Sequence, residues 1–188
     1  MDDQALLDRA RRGDRDAFAA LVTRYQDQLY TMALRLLGSP ADAADVVQDT
    51  FLRAYLNLPV LHGSVRGWLY RVAVNASRDI QRRRQRRPTS PIEDDQGKLI
   101  DLPDPGIGPD ATAEARERVG AVRAALLEIP EEYRAAVVLR DVNDLSYEDI
   151  SEALRIPVGT VKSRISRGRL QLAALLRQSP VFAAEGNA

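Results

Sequence analysis

The sequence predicts an all-α protein built from two small helical domains joined by a flexible acidic linker. Apolar residues recur at helical spacing in both halves of the chain, and no segment shows the apolar–polar alternation of a strand. A proline-rich acidic stretch separates the halves. With 188 residues, 45% hydrophobic but only 5% aromatic, the chain suits small cores of Ala, Leu and Val.

The first domain, residues 1–87, is predicted to contain helices separated by glycine and proline. Ser39 can cap the helix that starts at Pro40, because Ser accepts backbone N–H bonds and Pro tolerates the first helical position. The expected helical ranges are 3–37 with a break at Gly13, 40–58 and 64–87.

The stretch 88–114 has the composition of a linker. It holds five Pro, three Gly and seven acidic residues in 27 positions, a length without regular structure that is uncommon inside a compact domain. Fully extended, it could span roughly 90 Å at about 3.3 Å per residue. We also expect the tail 179–188 to be disordered.

The second domain, residues 115–178, is predicted to end in a helix-turn-helix. Ser146 can cap a short helix, and Thr160 is the expected cap of a last helix running to about Arg177. In such a motif the second helix enters the DNA major groove. Two helices over 115–129 and 131–140 should precede it.

The net charge of zero hides an uneven distribution. Residues 61–90 carry a net +7, residues 91–117 a net −6 and residues 155–188 a net +5. Two basic blocks flank an acidic middle, which indicates two separate contacts with a polyanion.

Composition also excludes several functions. The chain has no Cys and a single His, His62, so disulfides, thiol chemistry, and a histidine-built metal or catalytic site are not expected, and no cofactor is predicted. No apolar run approaches 18 residues and the N-terminus is polar. The expectation is a soluble, cytoplasmic protein without direct membrane insertion.

The predicted last helix has one packing side and one polar side. Val161, Ile165, Gly168 and Leu172 share the first. The opposite side could bind phosphates and guanine edges, and the N–H groups near Thr160 could seat a phosphate. A solvated helix in an ordinary bundle is the alternative, which the capped two-helix frame disfavours. The polar residues are Lys162, Ser163, Ser166, Arg167 and Arg169.

The segment 68–87 carries a second basic helix face. Cations at its end would bind phosphates with strong salt dependence, although a solvated helix end beside the helix dipole has the same charge. Trp68 and Tyr70 could stack on bases, and a core position for Trp68 is equally consistent with its spacing. The polar stripe comprises Arg71, Asn75, Arg78 and Arg82, continued by Arg83.

The segment 40–55 predicts an acidic helix face. Ala43, Val47, Phe51, Ala54 and Leu58 are expected to point inward. A face of three acids repels DNA and suits a basic protein partner, while a solvated surface explains the charges equally well. The residues on this face are Asp42, Asp45, Asp49 and the neighbouring Gln48.

In this order, the three segments resemble the sigma-70 family, specifically its extracytoplasmic-function (ECF) group, over nearly the whole chain. Residues 42–54 resemble the family segment that docks on the clamp helices of the polymerase β′ subunit. Trp68-Leu69-Tyr70-Arg71, with Asn75 and Asp79, resembles the segment that reads and helps to open the −10 element. Residues 146–150 and 156–164, which include Arg164, match the −35-reading helix-turn-helix.

The resemblance implies a mechanism and partners. The first domain would dock on core RNA polymerase and hold the melted −10 strand, while the second would dock on the polymerase β flap and read the −35 element. The linker would thread toward the polymerase active-site channel. The resemblance also implies a protein that is monomeric when free and has no catalytic residues, and that is held inactive by an anti-sigma factor, often a membrane-anchored one.

One loop departs from the family pattern. The family form FRG-x-x-SF-x-TW appears here as residues 61–68, two residues shorter and without either Phe. This loop would capture a flipped −10 base, so the side chains that receive the base are left open.

Two other functions compete with this interpretation. An autonomous helix-turn-helix regulator would bind symmetric half-sites as a dimer, but it leaves the acidic helix, the linker and the first Arg-rich helix unexplained. An enzyme is the third hypothesis, and the acids and the single His form no recognisable catalytic cluster.

Overall fold

The computed structural model describes residues 2–61, 64–86 and 112–183, and every regular element in these ranges is helical. The chain divides into two compact units, Met1–Gly106 and Ile107–Ala188. The predicted all-α fold is confirmed. The first unit contains α1 (Asp3–Arg11), α2 (Arg15–Leu37), α3 (Pro40–Leu56), a 3-10 turn (Leu58–Val60) and α4 (Val65–Arg86).

A short polar residue caps the start of α2, and a glycine ends the helix. The Asp14 carboxylate accepts the Ala17 N–H at 3.1 Å. That bond is the largest cause of a lowered pKa at Asp14, and the hydrogen bond from the Arg9 side chain is the second. At the other end Gly38 takes a left-handed conformation with φ +71°, and its N–H bonds the Leu34 carbonyl at 2.8 Å. Glycine adopts this conformation without a steric cost.

The core of the first unit lies around α2, which packs against α1, α3 and α4. Helix α3 turns a slightly different face inward from the one predicted. Val46 is 1% exposed, whereas Val47 is only half-buried. The reason is that Ala43, Val46, Thr50 and Ala54 follow one another at steps of three and four, and this row faces α2 and α4.

Within residues 112–183, the second unit contains five helices and one π-helical turn. The turn, Val138–Val142, replaces the regular helix predicted up to Arg140, and the Asn143 N–H reaches back five residues to the Val138 carbonyl at 3.2 Å. Such turns insert one extra residue into a helix. The helices are α5 (Ala113–Glu128), α6 (Glu131–Val137), α7 (Tyr147–Leu154), α8 (Val158–Gln178) and α9 (Pro180–Ala183).

Two predicted boundaries of the second unit are wrong by a few residues. Helix α5 begins at Ala113 because the Thr112 side chain caps it by accepting the Ala115 N–H at 3.2 Å. The last two positions of the predicted linker are therefore helical, and positions 88–111 lie outside the described residues. In the predicted tail, Pro180–Ala183 is helical and packs against α5 and α8.

Gly168 allows α8 to lie directly against α6. A Cβ at this position would stand 2.6 Å from Val137 Cγ2 and 3.2 Å from the Tyr133 carbonyl oxygen. Side chains do not tolerate the first distance, so the glycine sets the close approach of the two helices.

Candidate nucleic-acid interface and protein-docking face

Side-chain hydrogen bonds fix both ends of α7, the first helix of the helix-turn-helix. Ser146 accepts the Asp149 N–H at 3.0 Å and donates its hydroxyl to the Asp149 carboxylate at 2.7 Å, which closes the start of α7. Helix α7 ends at Arg155 in a left-handed conformation, φ +55°. The Ser151 hydroxyl then donates to the Ile156 carbonyl at 2.5 Å. The turn is therefore short and fixed, as predicted.

The start of α8 differs from the prediction. Thr160 does not cap the helix, because α8 already begins at Val158 and the Thr160 N–H bonds the Pro157 carbonyl at 2.9 Å. The unpaired N–H groups of a helix lie in its first turn, which here begins two residues earlier, at Val158 and Gly159. Thr160 remains within that turn as a half-buried residue.

Helix α8 has the two-sided character that its sequence predicts. Val161, Ile165 and Gly168 are buried against the rest of the unit. The opposite side is open to solvent and basic. The exposed residues are Lys162, Ser163, Ser166, Arg167 and Arg169.

The arginines of this side do not have equal surroundings. Arg169 Nε donates to the Asp141 carboxylate at 2.9 Å, and this bond raises the pKa of Arg169. Arg164 is mostly buried and pairs with Glu132 at 3.3 Å. Within the described ranges Arg167 has no ion pair. Arg167 is thus available for an outside anion, whereas acids of the same unit hold the other two.

Tyr147 is a residue of this site that the sequence reasoning missed. Its ring centroid lies 5.5 Å from Lys162 Nζ and 5.3 Å from Arg140 Cζ. Arg140 comes from the π-helical turn and also donates to the Leu145 carbonyl at 2.7 Å. The only signal in the sequence was an aromatic residue directly after the Ser146 cap. The ring forms one wall of an open groove that Ser166 and Arg169 also line.

Helix α4 carries all eight residues of the second predicted set, and seven of them reach its surface. Asp79, Arg82 and Arg83 are exposed near its end, where Arg82 pairs with Asp79 at 3.8 Å. The residues closer to its start are half-buried, which leaves part of each side chain at the surface. These are Trp68, Arg71, Asn75 and Arg78.

Tyr70 does not belong to an accessible surface. Its side chain is 0% exposed, its hydroxyl donates to Gln28 Oε1 at 3.1 Å, and Arg66 Cζ lies 5.8 Å from its ring centroid. The prediction that bases stack on Tyr70 is wrong for this structure, because neither face of the ring is open. His62, at the start of the shortened loop, lies outside the described residues.

The four predicted docking residues of α3 differ in exposure and in their ion-pair partners. Asp45 and Gln48 are exposed, and Asp49 is half-buried in an ion pair with Arg53 at 2.9 Å. Asp42 instead forms an ion pair with Arg84 of α4.

The same helix carries exposed apolar residues that the sequence reasoning missed. Leu52 and Leu56 are 56% and 69% exposed, and Tyr55 and Val60 beside them are at least half exposed. The signal was present, since Leu52 and Leu56 stand four residues apart and outside the inward row. We call Asp45, Gln48, Asp49, Leu52 and Leu56 the α3 face.

Neither a membrane span nor a metal cluster appears among the residues that the structure describes. No helix in 2–61, 64–86 or 112–183 is long and apolar enough to cross a bilayer. The same ranges contain no group of His, Asp and Glu side chains that could hold a metal ion.

A helix-turn-helix with a basic outer face, together with a second Arg-rich helix, defines a DNA-binding transcription protein. The families described as sigma-70 region 2 and sigma-70 region 4 match residues 21–87 and 120–172 respectively. The chain is also similar to the ECF RNA polymerase sigma factor SigW of Bacillus subtilis, at 34% identity over 91% of this chain and 95% of the relative. It is 37% identical to the ECF RNA polymerase sigma-E factor of Haemophilus influenzae, over 89% of this chain and 91% of the relative.

Solved structures agree with these relatives. The structure of CnrH in complex with the cytosolic domain of CnrY aligns with a TM-score of 0.70 at 29% identity, over 94% of this chain and 99% of CnrH. The sigma factor RpoE of Bartonella quintana shares the fold, with a TM-score of 0.68 at 24% identity, over 86% of this chain and 98% of that one. The chain belongs to the sigma-70 family, in its ECF group, and directs promoter-specific transcription initiation by RNA polymerase.

Proposed function

We propose that three faces divide the work of this sigma factor: α8 reads the −35 element, α4 holds the −10 element and the α3 face docks on core polymerase. We further propose that the protein acts in the cytoplasm and catalyses no reaction itself. The observation that carries the proposal is the outer side of α8, which exposes cations and hydroxyls while Val161 and Ile165 anchor the inner side.

Reading of the −35 element rests on Arg167 and its neighbours. An arginine fork can bond both acceptors of a guanine edge, and Lys162 can do so as a point donor. Ser163 and Ser166 can donate to bases or phosphates. Thr160, Arg164 and Arg169 are assigned contacts to the DNA backbone, which a side chain that is half-buried or already paired with an acid can still make.

Binding of the −10 element is assigned to the exposed side of α4. Trp68 offers the aromatic surface on which an unpaired base stacks. The proposed contacts to the DNA backbone lie along the helix as far as its basic end, and they would give salt-sensitive binding. They are made by Arg71, Asn75, Arg78, Arg82 and Arg83. The Asp79 carboxylate, which phosphates would repel, is assigned instead to the amino group of a base.

Docking on the β′ clamp helices is assigned to the α3 face. Asp45 and Asp49 supply the charges, while Leu52 and Leu56 supply apolar area whose burial on binding is favourable at about 25 cal/mol per Å². Mixed surfaces of this kind, with an apolar centre and a charged rim, are typical of specific protein interfaces. The second unit would dock on the β flap.

The region between the units is proposed to act as a tether. A linker over 88–112, which ends where α5 begins, would have a reach of roughly 80 Å at about 3.3 Å per residue. That reach exceeds the length of about 20 base pairs at roughly 3.4 Å each. It would allow the helical domains on either side of the linker to occupy both promoter elements, and the acidic residues of the linker would lie toward the active-site channel.

An inhibitory protein is the second proposed partner. CnrH, which is 29% identical to this chain, was solved with the cytosolic domain of CnrY. The α3 face of this chain leaves large apolar side chains in solvent, and an anti-sigma factor would cover them when the protein is not bound to polymerase. Such a partner would compete with core polymerase for the same surface.

Co-elution with sigma-free core polymerase on a sizing column tests the proposal. We expect a stable one-to-one complex, since the α3 face and the second unit both contribute contacts. If the chain instead ran as a dimer that bound duplex DNA alone, the autonomous regulator would replace the sigma mechanism.

A further inference from the structure

We infer that Asp42 and Arg84 form a clasp that positions the arginine-rich end of α4 for promoter DNA. Asp42 is then a positioning residue of the −10 helix and not a polymerase contact. The inference rests on the proposed DNA-binding role of α4, and it names a residue pair on which that role depends.

The clasp joins the last turns of α4 to the corner between α2 and α3. The Arg84 guanidinium pairs with the Asp42 carboxylate through one nitrogen. Its other terminal nitrogen donates to the Leu37 carbonyl at 3.1 Å. One turn earlier, Gln81 Nε2 donates to the Leu36 carbonyl at 3.1 Å. The last carbonyls of a helix lack partners within the helix, so both side chains complete the end of α2 while they fix α4.

Asp42 is held in place for this contact. Its N–H bonds the hydroxyl of the cap residue Ser39 at 3.3 Å, at the rigid start of α3. The Asp42 side chain is 24% exposed, about half the exposure of the Arg84 side chain at 46%. Asp45, one turn further along α3, is exposed instead. The two aspartates therefore face different partners although they lie on the same helix.

The end of α4 needs such a support. Helix α4 ends at Arg86, and residues 82–84 and 86 place four like charges in its last turns, which destabilises a helix by mutual repulsion. Terminal turns also fray. The ion pair with Asp42 offsets the charge of Arg84 and holds the last turn of α4 in place. Arg82, Arg83 and Arg86 then remain exposed in a fixed arrangement. Fixed groups lose less conformational entropy when they bind.

The first test compares Asp42→Asn with the matched control Asp45→Asn in the complete holoenzyme. A labelled promoter fragment carrying a melted −10 element reports DNA affinity, and titration with core polymerase reports assembly. Asp42→Asn should weaken DNA binding about two- to tenfold, in line with a partly exposed charged pair, and leave assembly unchanged. Asp45→Asn should weaken assembly. Asp27→Asn, at an exposed position of α2 outside the proposed binding faces, should change neither assembly nor DNA affinity. A loss of assembly in Asp42→Asn with unchanged DNA binding would overturn the inference.

A double-mutant cycle tests whether the two residues act through each other. If they do, Asp42→Asn added to Arg84→Gln should cause no further loss of DNA affinity, because the contact is already broken. Losses that multiply would mean that each residue acts separately, which contradicts the clasp.

Hydrogen exchange separates failure of the clasp from failure of the proposed role of α4. In the full chain, Asp42→Asn should speed amide exchange over residues 82–86, and Asp45→Asn should not. Faster exchange with unchanged DNA affinity would uphold the clasp and overturn DNA binding by this helix end. Unchanged exchange would overturn the clasp itself.

Discussion

At the residue scale, Arg164, Arg167 and Arg169 carry the same side chain within six positions of α8 but face different surroundings. Arg164 is tied to Glu132 and Arg169 to Asp141. A paired cation must break its ion pair before it can contact DNA fully, and the free energy lost with the ion pair offsets part of the free energy gained from the DNA contact. Arg167 carries no such cost, which makes it the strongest candidate for base reading.

Arg167→Ala should weaken −35 recognition by about 1–3 kcal/mol, because it removes a bidentate base contact. Association with core polymerase should stay intact. Holoenzyme affinity for promoters with matched and altered −35 elements measures the effect. Arg177→Ala, at an exposed position near the end of the same helix, serves as the control and should leave affinity unchanged. Equal losses in both variants would argue against base reading by Arg167.

Tyr147→Leu should weaken −35 binding by about 0.5–1 kcal/mol, the strength of an exposed cation–π contact, because Lys162 then loses the ring beside it. Tyr147→Phe keeps the ring and should retain wild-type affinity. The same promoter titration measures both variants. A loss in Tyr147→Phe equal to that in Tyr147→Leu would assign the effect to the hydroxyl and contradict the positioning of Lys162.

At the element scale, α6 and α8 set the geometry of the helix-turn-helix together. Gly168 brings the helices into contact, although glycine costs about 1 kcal/mol relative to alanine inside a helix. The π-helical turn that follows α6 then places Arg140 beside Tyr147 and Asp141 beside Arg169. Helix α6 and the turn that follows it therefore support the middle of the recognition helix, at Gly168 and Arg169.

Gly168→Ala should lower the free energy of unfolding even though alanine favours helices. Overpacking against Val137 and the Tyr133 backbone costs about 1–3 kcal/mol, which exceeds the gain of about 1 kcal/mol in helix propensity. Gly120→Ala is the matched control, because a Cβ there meets nothing within 4 Å, and it should stabilise the chain. Denaturant unfolding of the full chain measures both changes. Stabilisation by Gly168→Ala would contradict the close approach of α6 and α8.

The elements were largely predictable from sequence, since their ends depend on local chemistry. Ser39 and Ser146 cap the helices they were expected to cap, and Gly38 ends α2 with a left-handed conformation. The burial of Tyr70 was not predictable, because it depends on Gln28, 42 positions away. The partner of Asp42 lies equally far along the chain. Helical periodicity identifies the face on which a residue lies, but the partner depends on how helices pack.

At the scale of the whole molecule, recognition of a promoter is expected to require polymerase. The chain carries as many acidic as basic residues, 27 of each, so its basic faces are few and its overall field is weak. Each face alone supplies too few phosphate contacts for tight binding. Polymerase would hold the faces on one DNA molecule, and the second contact would then gain from the effective concentration that the first creates.

Charge reversal by Asp45→Arg together with Asp49→Arg should abolish association with core polymerase, because like charges would face the basic docking partner. Both units should remain folded, since neither carboxylate is buried. Sizing-column co-elution measures association, and circular dichroism measures helix content. Reversal of the exposed Asp27 and Glu117 makes the same charge change elsewhere and should not disturb the complex. Normal association of the Asp45 and Asp49 variant would show that the α3 face is not the docking surface.

Selection of promoters from a randomised library, with and without core polymerase, tests whether the chain recognises promoters only as part of the holoenzyme. We predict that the holoenzyme enriches two unlike elements at a fixed spacing, that Arg167→Ala relaxes only the upstream element, and that the free chain enriches nothing. Enrichment of a symmetric site by the free chain at nanomolar concentration would show instead that the helix-turn-helix belongs to an autonomous dimeric regulator, which binds DNA without polymerase.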